Sequence, residues 1–249
     1  MSGSIIASRT PMPVISFANA KGGAGKTTAA LLLATELAHQ GYRICILDAD
    51  PQRWITQWSE AAGLQHNIEV ISEVSVGSLQ GHIREGRKTA DYVIIDLAGA
   101  RDAIVTMAIG LSDHVMIPVQ GCAMDAKGAA QILDLIEQMR IAGNLVIPHS
   151  VVLTRVASMV TTRALLAIKG LLAARGVNVI NTPIAERNAF RDIFETGGTV
   201  YSMDPAKVSN LDKAQDNSRA FAAEVVHLLP VKVVRSLRPR LLRLIGDAA

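Results

Sequence analysis

The run Lys21-Gly22-Gly23-Ala24-Gly25-Lys26-Thr27-Thr28 lies between an apolar stretch, Val14 to Ala18, and a helix-like stretch, Ala29 to His39. Strand, glycine-rich loop and helix in that order make a phosphate-binding loop. Gly22, Gly23 and Gly25 let the backbone curl so that successive N–H groups converge on one anion, with the positive end of the following helix behind it. Lys26 is then placed on the β- and γ-phosphates of a nucleotide, Thr27 offers its hydroxyl to Mg²⁺, and Ala24 and Thr28 complete the cradle. The strict pattern G-x-x-x-x-G-K-S/T is missed by one residue, because its first glycine falls on Ala20. The competing reading is a glycine-rich turn that binds nothing, but three glycines, a lysine and two threonines in this order have no packing purpose.

Carboxylates supply the remaining chemistry of phosphoryl transfer, a held Mg²⁺ and an oriented water. Asp96 closes the apolar run Tyr92-Val93-Ile94-Ile95 and is expected to hold Mg²⁺ through a coordinated water. An aspartate at a strand end can also simply cap the next helix. Asp48-Ala49-Asp50-Pro51-Gln52 follows a second buried run, Arg43 to Leu47, at the edge where doubly wound sheets bind ligands. This segment also reads as a turn in which Pro51 starts the next helix, and the two readings are compatible.

The octet with its additional lysine, Lys21, resembles the deviant Walker A loop of the ParA/MinD ATPases. That resemblance implies an ATP-dependent sandwich homodimer in which Lys21 reaches the partner's nucleotide, with Lys21 and Lys26 both serving hydrolysis. Asp48-x-Asp50-Pro51-Gln52 is similar to the family's Walker A′ segment, which implies that Asp50 positions the attacking water and Asp48 supports the metal shell. With Trp54 and Trp58 following, Pro51-Gln52 looks more like ParA than MinD. Pro118-Val119-Gln120 with Asp125, Leu153-Thr154-Arg155, and Thr182-Pro183-Ile184 with Arg187, Gly197 and Val200 extend the resemblance over residues 13 to 229. It implies adenine contacts at Thr154, Arg155 and Pro183. Asp96-Leu97-Ala98-Gly99 departs from the family's Asp-Thr-Pro-Pro, which leaves the geometry of that switch segment open.

The elements that must position these groups alternate along the chain. Helices are expected over Thr27 to Gln40, Trp54 to Ala62, Ser78 to Arg87, Asp102 to Leu111, Asp125 to Ile141, Thr161 to Ala174 and Ser209 to Leu229. Strands are expected at Ile68 to Ile71, His114 to Val119, Ser150 to Thr154 and Val177 to Asn181, besides those named above. A loop and short helix with Arg187, Phe190 and Arg191 follow Pro183 and end at Gly197 and Gly198. Such alternation predicts a single α/β domain: a doubly wound, mostly parallel sheet with helices on both faces.

A chain of 249 residues, 49% hydrophobic, can bury one large core. No apolar run approaches the roughly 18 residues that span a bilayer, and the first 13 residues lack a signal peptide's apolar stretch, so a cytoplasmic protein is expected, and the resemblance to ParA implies association with the nucleoid. Cys45 and Cys122 make neither a disulfide framework nor a metal motif, and core packing is the preferred reading. Residues 1–12 read as a flexible leader, too short for a DNA-reading helix-turn-helix, so regulation of its own gene at a specific operator is not expected. Residues 230–249 read as a basic amphipathic tail, in which Lys232, Arg235, Arg238, Arg240 and Arg243 face Asp247 alone and leave the body slightly acidic. A tail of this kind suits a polyanion, nucleic acid or an acidic membrane surface, and its leucines could instead dock on the body.

The expected function is a small ParA-type partition ATPase. It binds DNA nonspecifically as an ATP dimer, through Arg187, Arg191 and the tail cations, and is released when a ParB-like cargo adaptor stimulates hydrolysis. Its cargo, whether plasmid, chromosome, transferred DNA or a protein assembly, is left open. A MinD-like ATPase that touches anionic membrane through its tail is the alternative. A metabolic ligase or reductase on the same scaffold is the third reading: the ligase lacks a visible second constellation, and the reductase lacks its cysteines after Asp96.

Overall fold

The near-continuous apolar runs become strands buried on both faces, as parallel sheets require. The computed structural model describes residues 12–63, 67–120, 123–156 and 163–231. The leader 1–11, Cys122, and the basic residues Lys232, Arg235, Arg238, Arg240 and Arg243 lie outside the described residues, as does the side chain of Asp125. Seven strands, β1 (Val14–Phe17), β2 (Ile44–Ala49), β3 (Ile68–Ile71), β4 (Tyr92–Leu97), β5 (His114–Gln120), β6 (His149–Val156) and β7 (Asn178–Val179), lie in the order β3-β2-β4-β1-β5-β6-β7. An eighth, β8 (Ile184–Ala185), pairs with β6, and the described pairings are all parallel. The helices are α1 (Lys26–His39), α2 (Trp54–Ala62), α3 (Leu79–Thr89), α4 (Ala103–Leu111), α5 (Ala123–Gly143), α6 (Arg163–Ala174), α7 (Ala189–Thr196) and α8 (Leu211–Leu228).

Alternate residues of each strand feed two cores, one on each side of the sheet. Ile15, Phe17, Ile44, Ile46, Tyr92 and Ile94 meet α1, α2, α7 and α8. Val14, Cys45, Leu47, Val93 and Ile95 meet α3, α4 and α5. Cys45 is thus a core residue, and burial pushes its thiol up to about 12. Helix α1 is covered on nearly every side: Leu31, Leu32, Leu33 and Leu37 have at most 1% exposure. Its buried Glu36 accepts hydrogen bonds from the Tyr201 hydroxyl and from Gln40 Nε2.

Three local features differ from the sequence reading. The last full strand shrinks to Asn178–Val179, and the chain after Pro183 regains the sheet at β8, where pairing with β6 skips a residue between Thr154 and Val156. Two-residue pairings are made by backbone groups alone and leave no periodicity in side chains. Pro51 does not start α2. Asp50 accepts Gln52 N–H on its Oδ1 and Arg53 N–H on its carbonyl, closing a turn, and Arg53 at φ +51° passes the chain into the helix at Trp54.

Helices α2 and α7 are joined at their carboxyl ends. Trp58 Nε1–H donates to the Gly198 carbonyl at 2.7 Å, and Gly197, at φ +73°, lies where a Cβ would come within 2.8 Å of the Ala61 carbonyl carbon and Ala62 N. Gly197→Ala combines left-handed strain with a backbone clash and is expected to cost about 1–3 kcal/mol. A fall in the urea midpoint at unchanged slope checks this.

Candidate active site

The sheet order puts β1 between β4 and β5, so the loops after β1, β2, β4 and β6 open on one carboxyl edge. After β1 the chain turns through Gly23 at φ +79° and Gly25 at φ +89° before α1 begins at Lys26. Gly25 serves twice, because a Cβ there would also meet Thr154 at 3.2 Å. No side chain caps α1 and no acidic residue occupies its first turn, so the helix keeps its unsatisfied N–H groups and positive end for an anion. The loop is braced from behind. Thr154 Oγ1 donates to the Ala24 carbonyl at 2.8 Å, and Gln120 Nε2 donates to the Gly23 carbonyl.

Lys26 is 5% exposed, with its ammonium 3.3 Å from the Lys21 carbonyl. Burial lowers its pKa, and the nearby Asp96 and Asp50 partly offset that. Asp96 has no exposed surface and neither of its oxygens has a hydrogen-bond partner, although the Thr27 hydroxyl lies near enough to hold its pKa down in part. Desolvation wins and carries the carboxyl up to about 8, with Asp48 and Asp50 adding to the rise and Lys26 opposing it. Asp48, 2% exposed, accepts Thr56 N–H at 2.9 Å and Thr56 Oγ1–H at 2.7 Å on one oxygen, while the other is unpartnered. Its first task is therefore to fix the start of α2, and a single oxygen remains for a metal shell. Asp50 lines the cleft itself.

Thr27, Asp96 and the free oxygen of Asp48 are hard oxygen donors suited to Mg²⁺. The orphaned Asp96 carboxylate is what a hydrated divalent cation would satisfy, and bound Mg²⁺ would neutralise phosphate charge. Among the described residues no group of three or more His, Cys, Asp or Glu side chains is placed to hold a metal.

The cleft, about 730 Å³, runs from the glycine loop past Asp50 and Trp54 to Arg155, Phe190 and Phe194. Trp54, 49% exposed, stands at its mouth. Arg155 is held at φ +50° where β6 bulges, and it lines both this cleft and a smaller recess beside Thr28. Thr154 is a buried strut under the loop and also lines the recess. Pro183 lines neither space; its carbonyl accepts Asn217 Nδ2–H, and Ile184 and Ala185 occupy the wall instead. Arg187 and Arg191 also stand here, on the wall of the recess, Arg187 with a buried, unpartnered Nε and Arg191 donating to Asn188 Oδ1. Sequence reasoning missed Asn19 and Gly99. Asn19 is a polar residue just past an apolar strand, and Gly99 falls in the segment that departs from the family pattern; the reason each residue matters is a contact with a distant part of the chain.

A family model described as VirC1 protein matches residues 12–232. The chain belongs to the VirC1 family. It lies within the ParA/MinD class of P-loop ATPases, a class of partition and positioning proteins. This VirC1-family chain is 38% identical over 214 residues to Protein ParA of Rhizobium radiobacter, covering 86% of itself and 96% of that protein. To the virC1 protein of Rhizobium rhizogenes it is 29% identical over 191 residues, covering 75% and 82%. Among solved structures, the MinD cell division protein of Aquifex aeolicus matches with a TM-score of 0.68 at 18% identity, covering 88% of this chain and 100% of that one. An ATP complex of McdA from Cyanothece matches at 0.67 and 18%, covering 87% and 97%. These two likenesses show the fold.

In the protein without nucleotide or divalent cation, Asp96 stays protonated up to about pH 8, whereas in the unfolded chain it ionises near 3.8. The native state then holds the extra proton between those values, so this group increasingly opposes folding as pH rises through the window. Asp96→Asn is expected to raise the urea midpoint of the ligand-free protein at pH 8 and to change it little at pH 4. Equal midpoints at pH 8 would contradict the burial argument.

Proposed function

We propose that the protein binds ATP with Mg²⁺, closes as a sandwich homodimer, binds DNA nonspecifically in that state, and is released when a ParB-like cargo adaptor stimulates hydrolysis. The observation that supports this best is the Asp96 carboxylate, buried and unpartnered at the end of β4 beside Lys26 and Thr27. A purely structural aspartate at this depth would be hydrogen-bonded. The roles follow from position. Lys26 neutralises the transferred phosphate, Thr27 and Asp96 hold the cation with Asp48 in support, and Asp50, exposed to the cleft, orients water. Arg155 lies where the nucleoside would rest, and Arg187 and Arg191 on the adjoining wall are phosphate contacts for DNA. Lys21, at the start of the loop, serves the partner subunit's nucleotide.

Replacing Lys26 by alanine should abolish ATP binding, since the main cation on the phosphates is lost; an affinity equal to wild type would remove the site. Asp50→Ala should leave ATP bound and stop turnover, so that an ATP dimer accumulates in light scattering. The function itself is tested by ATP-dependent binding of the full chain to random-sequence DNA and, in parallel, to anionic liposomes. Binding to DNA that weakens steeply with salt is the expected result. Sedimentation with liposomes, without DNA binding, would favour the membrane-positioning reading.

A further inference from the structure

The root of Lys21 is fixed on four sides. Its N–H donates to Asn19 Oδ1 at 2.9 Å, and its carbonyl accepts from Lys26 Nζ at 3.3 Å. From the β4 side Gly99 approaches so closely that a Cβ would lie 2.9 Å from the Lys21 carbonyl carbon and 2.7 Å from Gly22 N. From α5, a Cβ on Gly128 would lie 2.8 Å from Lys21 Cβ and 2.2 Å from Asn19 Oδ1. Asn19 itself is fully buried and donates its Nδ2–H to the Pro118 carbonyl of β5 at 2.7 Å.

Asn19 is thus a buried amide with one end on β5 and the other on the backbone of Lys21. It lines none of the described nucleotide space. We propose that Asn19, seated against the bare backbone of Gly128, is the positioning residue of Lys21, presenting this lysine to the nucleotide of a second copy of the chain. The inference rests on the reading that Lys21 acts across the dimer. A long lysine that must reach another subunit loses conformational freedom on doing so, and a root already fixed in place reduces that loss. Removing the Asn19 amide frees the Lys21 N–H and leaves the Pro118 carbonyl unpaired. The phosphate cradle from Gly23 to Thr28 keeps its own braces, Thr154 and Gln120.

The test separates dimerisation from nucleotide binding in the full chain. ATP affinity is measured with a fluorescent ATP analogue at concentrations too low for dimers, and ATP-dependent dimerisation by analytical ultracentrifugation with Mg²⁺. Asn19→Ala is expected to weaken dimerisation about tenfold, the loss of one to two kcal/mol of a buried hydrogen bond, and to change monomer ATP affinity less than about threefold. Gly128→Ala reaches the same contact from α5 and should reproduce the split, so the question is answered even if Asn19→Ala fails to fold. In the Asn19→Ala, Lys21→Ala double variant the defect should be no larger than in Lys21→Ala alone, because Asn19 acts through that lysine. If Lys21→Ala weakens dimerisation while Asn19→Ala and Gly128→Ala dimerise like wild type, or lose ATP binding in proportion, the positioning role is overturned and the trans role of Lys21 stands. If Lys21→Ala dimerises like wild type, the trans role fails and this inference falls with it.

Discussion

A carboxylate with no exposed surface and no hydrogen-bond partner, Asp96, ends the strand next to β1, with a lysine of lowered pKa close by. Neither group is electrostatically satisfied by the protein alone. Burial drives Asp96 toward its neutral form and Lys26 toward loss of its proton, and their mutual attraction only partly opposes this. A phosphate chain and a hydrated divalent cation would resolve both conflicts at once, giving Lys26 its anion and Asp96 its cation. The ligand-free fold must tolerate this conflict, and the two buried cores on either side of the sheet keep the groups in place.

The parallel topology brings the other parts to the same edge. Strands β1, β2 and β4 end side by side, with Asp48 opposite Asp96 in register, so the carboxylates converge without either loop being long. Crowding is the consequence. Three segments distant in sequence meet at the glycine loop, and where they touch, the residue is glycine: Gly25 against Thr154, Gly99 against Gly22, and Gly128 against Asn19. In each case the missing Cβ allows close approach, and at Gly25 the positive φ demands glycine as well.

Asp48 links this chemistry to the outer wall. By accepting both the N–H and the hydroxyl of Thr56 it fixes the start of α2, whose far end is held to α7 through Trp58 and Gly198. The wall bearing Phe190, Arg191 and Phe194 is therefore mechanically continuous with a carboxylate at the candidate metal site. Arg191 lines the cleft from this wall and Arg187 lines the recess beside it, so the arginines proposed to touch DNA stand close to the nucleotide cleft.

Local order determined much of this in the sequence. The apolar runs leading into Asp48 and Asp96, the glycine loop before an apolar helix, and the strand-helix alternation are short-range patterns, and they suffice for the fold class and for setting the glycine loop and the two carboxylates at one sheet edge. Lys21 opens the same run, and its role across a dimer is what the family resemblance alone implies. What the chain could not show locally was decided by contacts between residues far apart. Asn19 and Gly99 matter because α5 and the β4–α4 loop come within van der Waals contact of residues 19–22, and β8 exists because backbone groups after Pro183 find β6. Of the three residues expected near adenine, Arg155 lines the cleft and the recess, Thr154 lines the recess while bracing the loop, and Pro183 lines neither, its carbonyl accepting from Asn217. Backbone conformation and close packing settle such placements, and neither leaves a signature in residue type alone.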